Sequence, residues 1–199
     1  MKLNLGIDID GVLTDEGPHT DSVWQKNISS YLDRKVELQE FTYNLQQAFG
    51  LTEDELIGFI EKKLPDVYKN AVPAAEAAST LLNLKEQGHK LILITARDKK
   101  FRHLTENWLA ENKIPYHELY HEHDKAPLAL TKNIDLFIDD NKENALSLAA
   151  AGIPVLLVNQ YHNFDFKTTA KIKRVNNWSE ITKQIELFLA EYTMSGKLS

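Results

Sequence analysis

The stretch LNLGIDIDGVLTDE, Leu3 to Glu16, is an apolar run that ends abruptly in Asp8-Ile9-Asp10-Gly11. Taken as a buried strand from Leu3 to Ile9, its period of two sends Asp8 and Asp10 to the same side at the C-terminal tip. Two carboxylates in one small volume repel each other, and each is costly to desolvate, so the arrangement calls for a cation. Oxygen-only donors of this kind suit Mg²⁺. Gly11 lets the backbone turn sharply and approach a ligand closely. On its own, Asp-x-Asp reads as readily as an ordinary strand exit with solvated carboxylates.

Three later segments repeat the pattern of an apolar strand that delivers polar residues at its end. Lys90 to Ile94 runs into Thr95-Ala96-Arg97-Asp98, Tyr116 to His121 is followed by Asp124-Lys125, and Asp135 to Ile138 runs into Asp139-Asp140-Asn141. Ligands of a parallel open sheet sit beyond the carboxyl ends of its strands, so all four segments are expected to converge on one pocket.

The remaining periodicity predicts β/α alternation interrupted by one helical stretch. After strand one, residues 17–64 show helical spacing in three groups: Val23, Ile28, Tyr31 and Leu32; Leu38, Phe41, Leu45 and Phe49; Leu56, Ile57, Ile60 and Leu64. Thr52 and Glu55 read as a capping box opening the third helix. Pro65 is expected to stop it, and Pro73 to begin the next helix, Pro73 to Gln87, which Gly88 closes. A strand, helix Lys99 to Asn112, a strand, short helix Lys125 to Lys132, a strand, helix Asn141 to Ala151, strand Pro154 to Asn159 and a last helix Ser179 to Tyr192 complete the pattern, with a frayed tail from Thr193. The expected fold class is therefore α/β, a Rossmann-like three-layer α/β/α parallel sheet. Residues 1–16 and 70–199 would form the core domain, and residues 17–69 a small helical cap inserted after the first strand.

With these segments in order, the chain resembles the haloacid dehalogenase-like (HAD) superfamily of aspartate-nucleophile phosphohydrolases. Its four motifs match as DIDGVLTDE (Asp8 to Glu16), ILITAR (Ile92 to Arg97), Lys125, and LFIDDNKEN (Leu136 to Asn144). DGVLTD, TAR and the paired IDD are similar to the 5′-nucleotidase branch that includes the 5′(3′)-deoxyribonucleotidases. Phosphoryl transfer needs an in-line nucleophile, neutralised phosphate oxygens and a proton for the leaving alkoxide. The resemblance then implies Asp8 as nucleophile, through an aspartyl-phosphate, and Asp10 as general acid and later base. It implies Mg²⁺ held by Asp8, Asp140 and Asp10, the last through its backbone carbonyl. Asp139 would hold water or Lys125, and Asn144 the metal-bound water. Thr95, the Ala96 amide, Arg97 and Lys125 would bind phosphate or substrate. Lys132 competes with Lys125, and Arg97 could instead pair with Glu106 or Asp98.

The resemblance departs at Glu16, where the deoxyribonucleotidases carry an aromatic that packs on the nucleoside. The expected substrate is thus a nucleoside monophosphate or a similar small phosphometabolite. A sugar-phosphate phosphatase, a phosphomutase, and a regulator that binds phosphate or nucleotide without turnover are the alternatives. His117, His121 and His123 with Glu118 and Glu122 invite a transition-metal reading, but His-x-His in a polar loop is more often solvated. Trp24, Tyr31, Phe41 and Tyr43 could stack on a base, though their spacing fits a core equally.

Composition agrees with a small-molecule enzyme. The 199 residues carry a net charge of −6, which disfavours nucleic-acid polymers and anionic membranes as partners. Cysteine is absent, so disulfides and thiolate metal sites are excluded. No run approaches about 18 apolar residues and the first strand follows Met1-Lys2 directly, so the expected location is cytoplasmic. A homodimer is compatible with the sequence.

Overall fold

The computed structural model describes residues 2–18 and 20–194, with side chains through residue 191. In chain order its elements are β1 (Asn4–Ile7), β2 (Thr14–Asp15), α1 (Val23–Leu32), α2 (Leu45–Phe49), α3 (Glu53–Lys62), α4 (Leu64–Lys69), β3 (Val72–Pro73), α5 (Ala77–Glu86), β4 (Lys90–Thr95), α6 (Arg102–Glu111), β5 (Glu118–His121), α7 (Lys125–Thr131), β6 (Leu136–Asp139), α8 (Lys142–Ala150), β7 (Val155–Val158), β8 (Ile172–Val175) and α9 (Trp178–Met194). Six strands form a parallel sheet in the order β5-β4-β1-β6-β7-β8. The chain builds outward from β1 to one side, through β4 and β5, and then to the other. That makes β1 and its neighbours the switch point where such sheets open a crevice.

Alternation along the strands divides the core in two. Leu5, Ile7, Leu91, Leu93, Leu136 and Ile138 pack with Leu81 of α5, Trp108 of α6 and Ile181 of α9. Ile92, Ile94, Phe137, Val155 and Leu157 pack on the other face with Ala129 of α7 and Leu148 of α8. The three-layer α/β/α arrangement follows, since the central strands β1, β4, β6 and β7 bury both faces. Gly6 lies on the second face, where an added Cβ would come 2.4 Å from the Phe137 ring. Gly6→Ala is therefore expected to destabilise the fold by about 1–3 kcal/mol through overpacking, read as a lower denaturation midpoint in urea. An unchanged midpoint would mean that Phe137 can swing aside.

Residues between β2 and β3 carry α1 to α4 around their own core of Ile28, Val36, Phe49, Leu51, Phe59 and Val67, to which Tyr161 contributes. The Thr52–Glu55 capping box forms at the start of α3. The second expected helix is shorter than its spacing suggested: Leu38 and Phe41 lie in a loop, and α2 begins only after Asn44, whose side chain accepts the Gln46 and Gln47 amides at 2.9 and 3.2 Å. Apolar residues three or four apart also suit a loop laid over a core, and a strong cap sets where the helix starts.

Pro65 ends α3 as expected but also occupies the first turn of α4, where its missing N–H costs nothing. Pro73 does not begin a helix. It pairs with Thr14 in the two-stranded β2–β3 ladder, and α5 starts at Ala77. An edge strand tolerates proline because the outward N–H has no partner to lose.

The first strand's ladder ends at Ile7, earlier than expected, because the Ile9 carbonyl accepts the Val12, Leu13 and Thr14 amides and the chain curls away. The short outer strand β8, Ile-Lys-Arg-Val, was not anticipated; with two charged residues at its centre it gives little apolar signal. Thr193 and Met194 continue α9, and the rest of the expected frayed tail lies outside the described residues. Among the described residues no helix is long and apolar enough to cross a membrane.

Candidate active site

Each residue expected in the site sits at the C-terminal edge of the sheet. Asp8 follows β1 and is 4% exposed; its Oδ1 accepts the Ile9 amide at 2.7 Å and its Oδ2 lies 2.7 Å from Lys125 Nζ. Lys125, the first residue of α7, is 2% exposed and also bonds Asp139 Oδ2 at 2.8 Å. Asp139 is locked further by the Asn141 amide at 2.8 Å and the Asn144 side-chain amide at 3.3 and 3.4 Å. Asn144 is thus brought to Asp139. The competitor Lys132 is elsewhere, on Glu118 at 2.7 Å.

The Asp10 carboxylate takes a different side-chain partner from that of Asp8. Arg97 grips it bidentately, Nε to Oδ2 at 2.9 Å and Nη2 to Oδ1 at 2.6 Å. Neither of the alternatives raised for Arg97 on the surface occurs: Glu106 pairs with Arg102, and Asp98 accepts the Lys100 amide. Arg97 is buried, stacks on the Tyr68 ring of α4 at 4.0 Å, and spends its fork on Asp10 rather than facing an open phosphate pocket. Thr95 is fully buried at the end of β4, its Oγ1 accepting the Arg97 amide at 3.2 Å, with Ala96 half-buried between them.

Asp140 points to a partner that the sequence did not single out. Its Oδ2 lies 3.0 Å from His162 Nε2, while its Oδ1 is buried with no hydrogen-bond partner. His162 is held edge-on by the rings of Tyr43 and Tyr161, each at 5.1 Å. The loop carrying it is braced by Asn163, whose amide donates to the Asp140 and Val158 carbonyls, and by Arg174 of β8, which donates to Asn163 at 2.6 Å. The one available signal was position, since this loop leaves the C-terminal end of β7 beside the Asp pair. Glu16 is buried in the same corner, with its Oε2 unpartnered. Gly11, at φ +68°, allows this packing: a Cβ there would fall 2.0 Å from Asp140 Oδ2.

His117, His121 and His123 form no metal cluster among the described residues; His117 Nδ1 accepts the Leu91 amide, and His121 Nδ1 meets the Arg97 carbonyl. Of the candidate stacking aromatics, Tyr31 packs on Phe59, Tyr43 on His162 and Phe41 on Phe164.

Burial dominates the electrostatics. It pushes the Asp8 and Asp140 carboxyls well above the usual range, with the negative charge of Asp139 adding to both and Lys125 pulling against it. Burial, then the charge of Asp140, pushes Glu16 up to about 8. Lys125 resists the same desolvation because Asp139 and Asp8 flank it, which keeps it protonated. Burial lowers His162, favouring the neutral imidazole. One carboxylate oxygen from each of Asp8, Asp139 and Asp140 lies within 4.8 Å of the others. This all-oxygen set, with an Asp140 whose Oδ1 has no hydrogen-bond partner, fits a divalent cation.

A parallel sheet with an Asp-x-Asp tip, a threonine, a buried lysine and an Asp pair along one edge defines a HAD-superfamily phosphohydrolase. The family described as "5′ nucleotidase, deoxy (Pyrimidine), cytosolic type C protein" matches residues 2–191, and the chain belongs to it. It is similar to a Bacillus subtilis protein provisionally named a nucleotidase, 37% identical over 186 residues, covering 89% of this chain and 91% of that one. A nucleotidase of Clostridium acetobutylicum is 32% identical over 183 residues, covering 90% and 92%. Among solved structures, a HAD family hydrolase from Deinococcus radiodurans R1, with bound phosphate and sodium, superposes with a TM-score of 0.61 at 16% identity, covering 96% of each chain. The chain is a phosphomonoesterase of this nucleotidase branch.

Proposed function

We propose that the chain is a Mg²⁺-dependent 5′-nucleotidase that releases phosphate from nucleoside monophosphates or a similar small phosphometabolite through an aspartyl-phosphate on Asp8. The observation that carries this is the buried Asp8 at the tip of β1, held by Lys125, with Asp10 two residues on and the orphaned oxygen of Asp140 beside it. Mg²⁺ would be held by Asp8 and Asp140 with the backbone carbonyl of Asp10. When bound, it supplies positive charge that keeps Asp8 ionised against burial and offsets the phosphate oxygens.

Asp8 attacks phosphorus in line, and Asp10 delivers a proton to the departing oxygen and then takes one from the water that cleaves the acyl phosphate. Arg97 fixes Asp10 in orientation. Thr95 and the Ala96 amide donate to non-bridging oxygens, and Lys125 neutralises one of them. Helices α1 to α4, in residues 17–69, form a cap that excludes water and selects the leaving group.

Phosphate release from a panel of nucleoside monophosphates and sugar phosphates tests the reading, with pyrimidine deoxynucleotides first. Release is expected in Mg²⁺ and is lost on adding a chelator; release that survives the chelator removes the metal. The substrate with the highest kcat/KM names the leaving group. Asp10→Asn separates the proton-transfer role. Turnover of alkyl phosphates should fall at least 10²-fold, and that of nitrophenyl phosphate much less, because nitrophenolate leaves without a proton. An equal loss on both would assign Asp10 a role other than general acid.

A further inference from the structure

The catalytic reading leaves Glu16 and His162 unused, yet both are buried beside Asp140. One donor atom from each of Glu16, Asp140 and His162 falls within 4.8 Å of the others. Donors about 2.0–2.2 Å from one ion lie roughly 3–4.4 Å apart, so the set needs only a small contraction.

A further observation points to a ligand here. Glu16 Oε2 is a buried polar atom without a hydrogen-bond partner, on a residue that is 6% exposed, and His162 turns its Nε2 toward Asp140 at 3.0 Å. An unpartnered buried atom costs free energy unless something satisfies it.

We infer that Glu16, Asp140 and His162 hold a second divalent ion, with Asp140 bridging it to the Asp8 centre. The inference rests on Asp8 and Asp140 being the first centre. The imidazole nitrogen in an otherwise carboxylate set selects Mn²⁺, Zn²⁺ or Fe²⁺ over Mg²⁺. A carboxylate shared between centres sets two ions about 3.5–4 Å apart, the spacing that clamps a phosphate from both sides. Glu16 then recruits a cation at the position where an aromatic would have met a base.

Mn²⁺ alone is the probe, with bound ions counted by equilibrium dialysis and their coupling read by electron paramagnetic resonance. The wild-type chain is expected to bind two Mn²⁺ with an exchange-broadened spectrum. Glu16→Gln and His162→Gln, each near-isosteric or smaller and each sufficient if the other fails to fold, should bind one, with the sharp hyperfine pattern of an isolated ion. Asp8→Asn should keep the ion at Glu16. A wild type that binds one ion, lost in Asp8→Asn and kept in Glu16→Gln and His162→Gln, overturns the second site and leaves the proposed function standing. One ion lost in Glu16→Gln and kept in Asp8→Asn places a single ion at Glu16 and overturns both the Asp8 centre and the bridged pair. No bound ion overturns both.

Discussion

Asp8→Asn lowers turnover at least about 10³-fold at saturating substrate, while the unfolding free energy measured in urea stays within about 1 kcal/mol of wild type. The activity loss follows because a carboxamide is a poor nucleophile toward phosphorus, and a factor of 10³ corresponds to about 4 kcal/mol of barrier. Stability survives because the amide keeps the carboxylate's shape and Lys125 retains Asp139 at 2.8 Å. Removing a buried negative charge also relieves its repulsion with Asp139 and Asp140. Phosphate release measures the first part, and acid-quenched mass spectrometry of the Asp8 peptide checks for the acyl phosphate directly. Wild-type-like turnover would sink the nucleophile assignment.

Lys125→Met has the largest expected effect on stability. The ammonium is 1% exposed and bridges Asp8 and Asp139, which are themselves buried. Methionine fills the volume but leaves two carboxylates facing each other without a cation, and breaking a buried pair in this way costs about 3–5 kcal/mol. For a chain of this size that lowers the thermal midpoint by on the order of 10 °C. Turnover falls as well, by at least about 10²-fold, since the charge on phosphate loses a partner. Calorimetry of Lys125→Met against the double variant Lys125→Met/Asp139→Asn separates the effects: the second change should restore much of the midpoint and none of the activity. A single variant as stable as wild type would show that the carboxylates take up protons at little cost.

The parallel sheet and four of its polar strand ends were legible because both are written in local pattern. Strands such as Leu91 to Ile94 are buried on both faces and so read as unbroken apolar runs. The capping box at Thr52 was legible for the same reason, being a contact three residues long. Pro73 reads locally as a helix start because its ladder partner, Thr14, lies far away in sequence, and nothing local distinguishes an edge strand from a helix start. β8 escaped because its outer position needs little apolar signal.

The sequence by itself determined the class of chemistry, since Asp8, Asp10, Thr95 and the Asp139-Asp140 pair sit where strands end and Lys125 opens the helix that follows one. What only the tertiary structure decided is which charge answers which. Lys125 joins Asp8 to Asp139 across a gap of more than a hundred residues, Arg97 takes Asp10, and His162 takes Asp140. Strand ends specify where side chains begin, but pairing depends on Coulomb energy at a few ångströms, which is fixed only once separate strands are packed side by side.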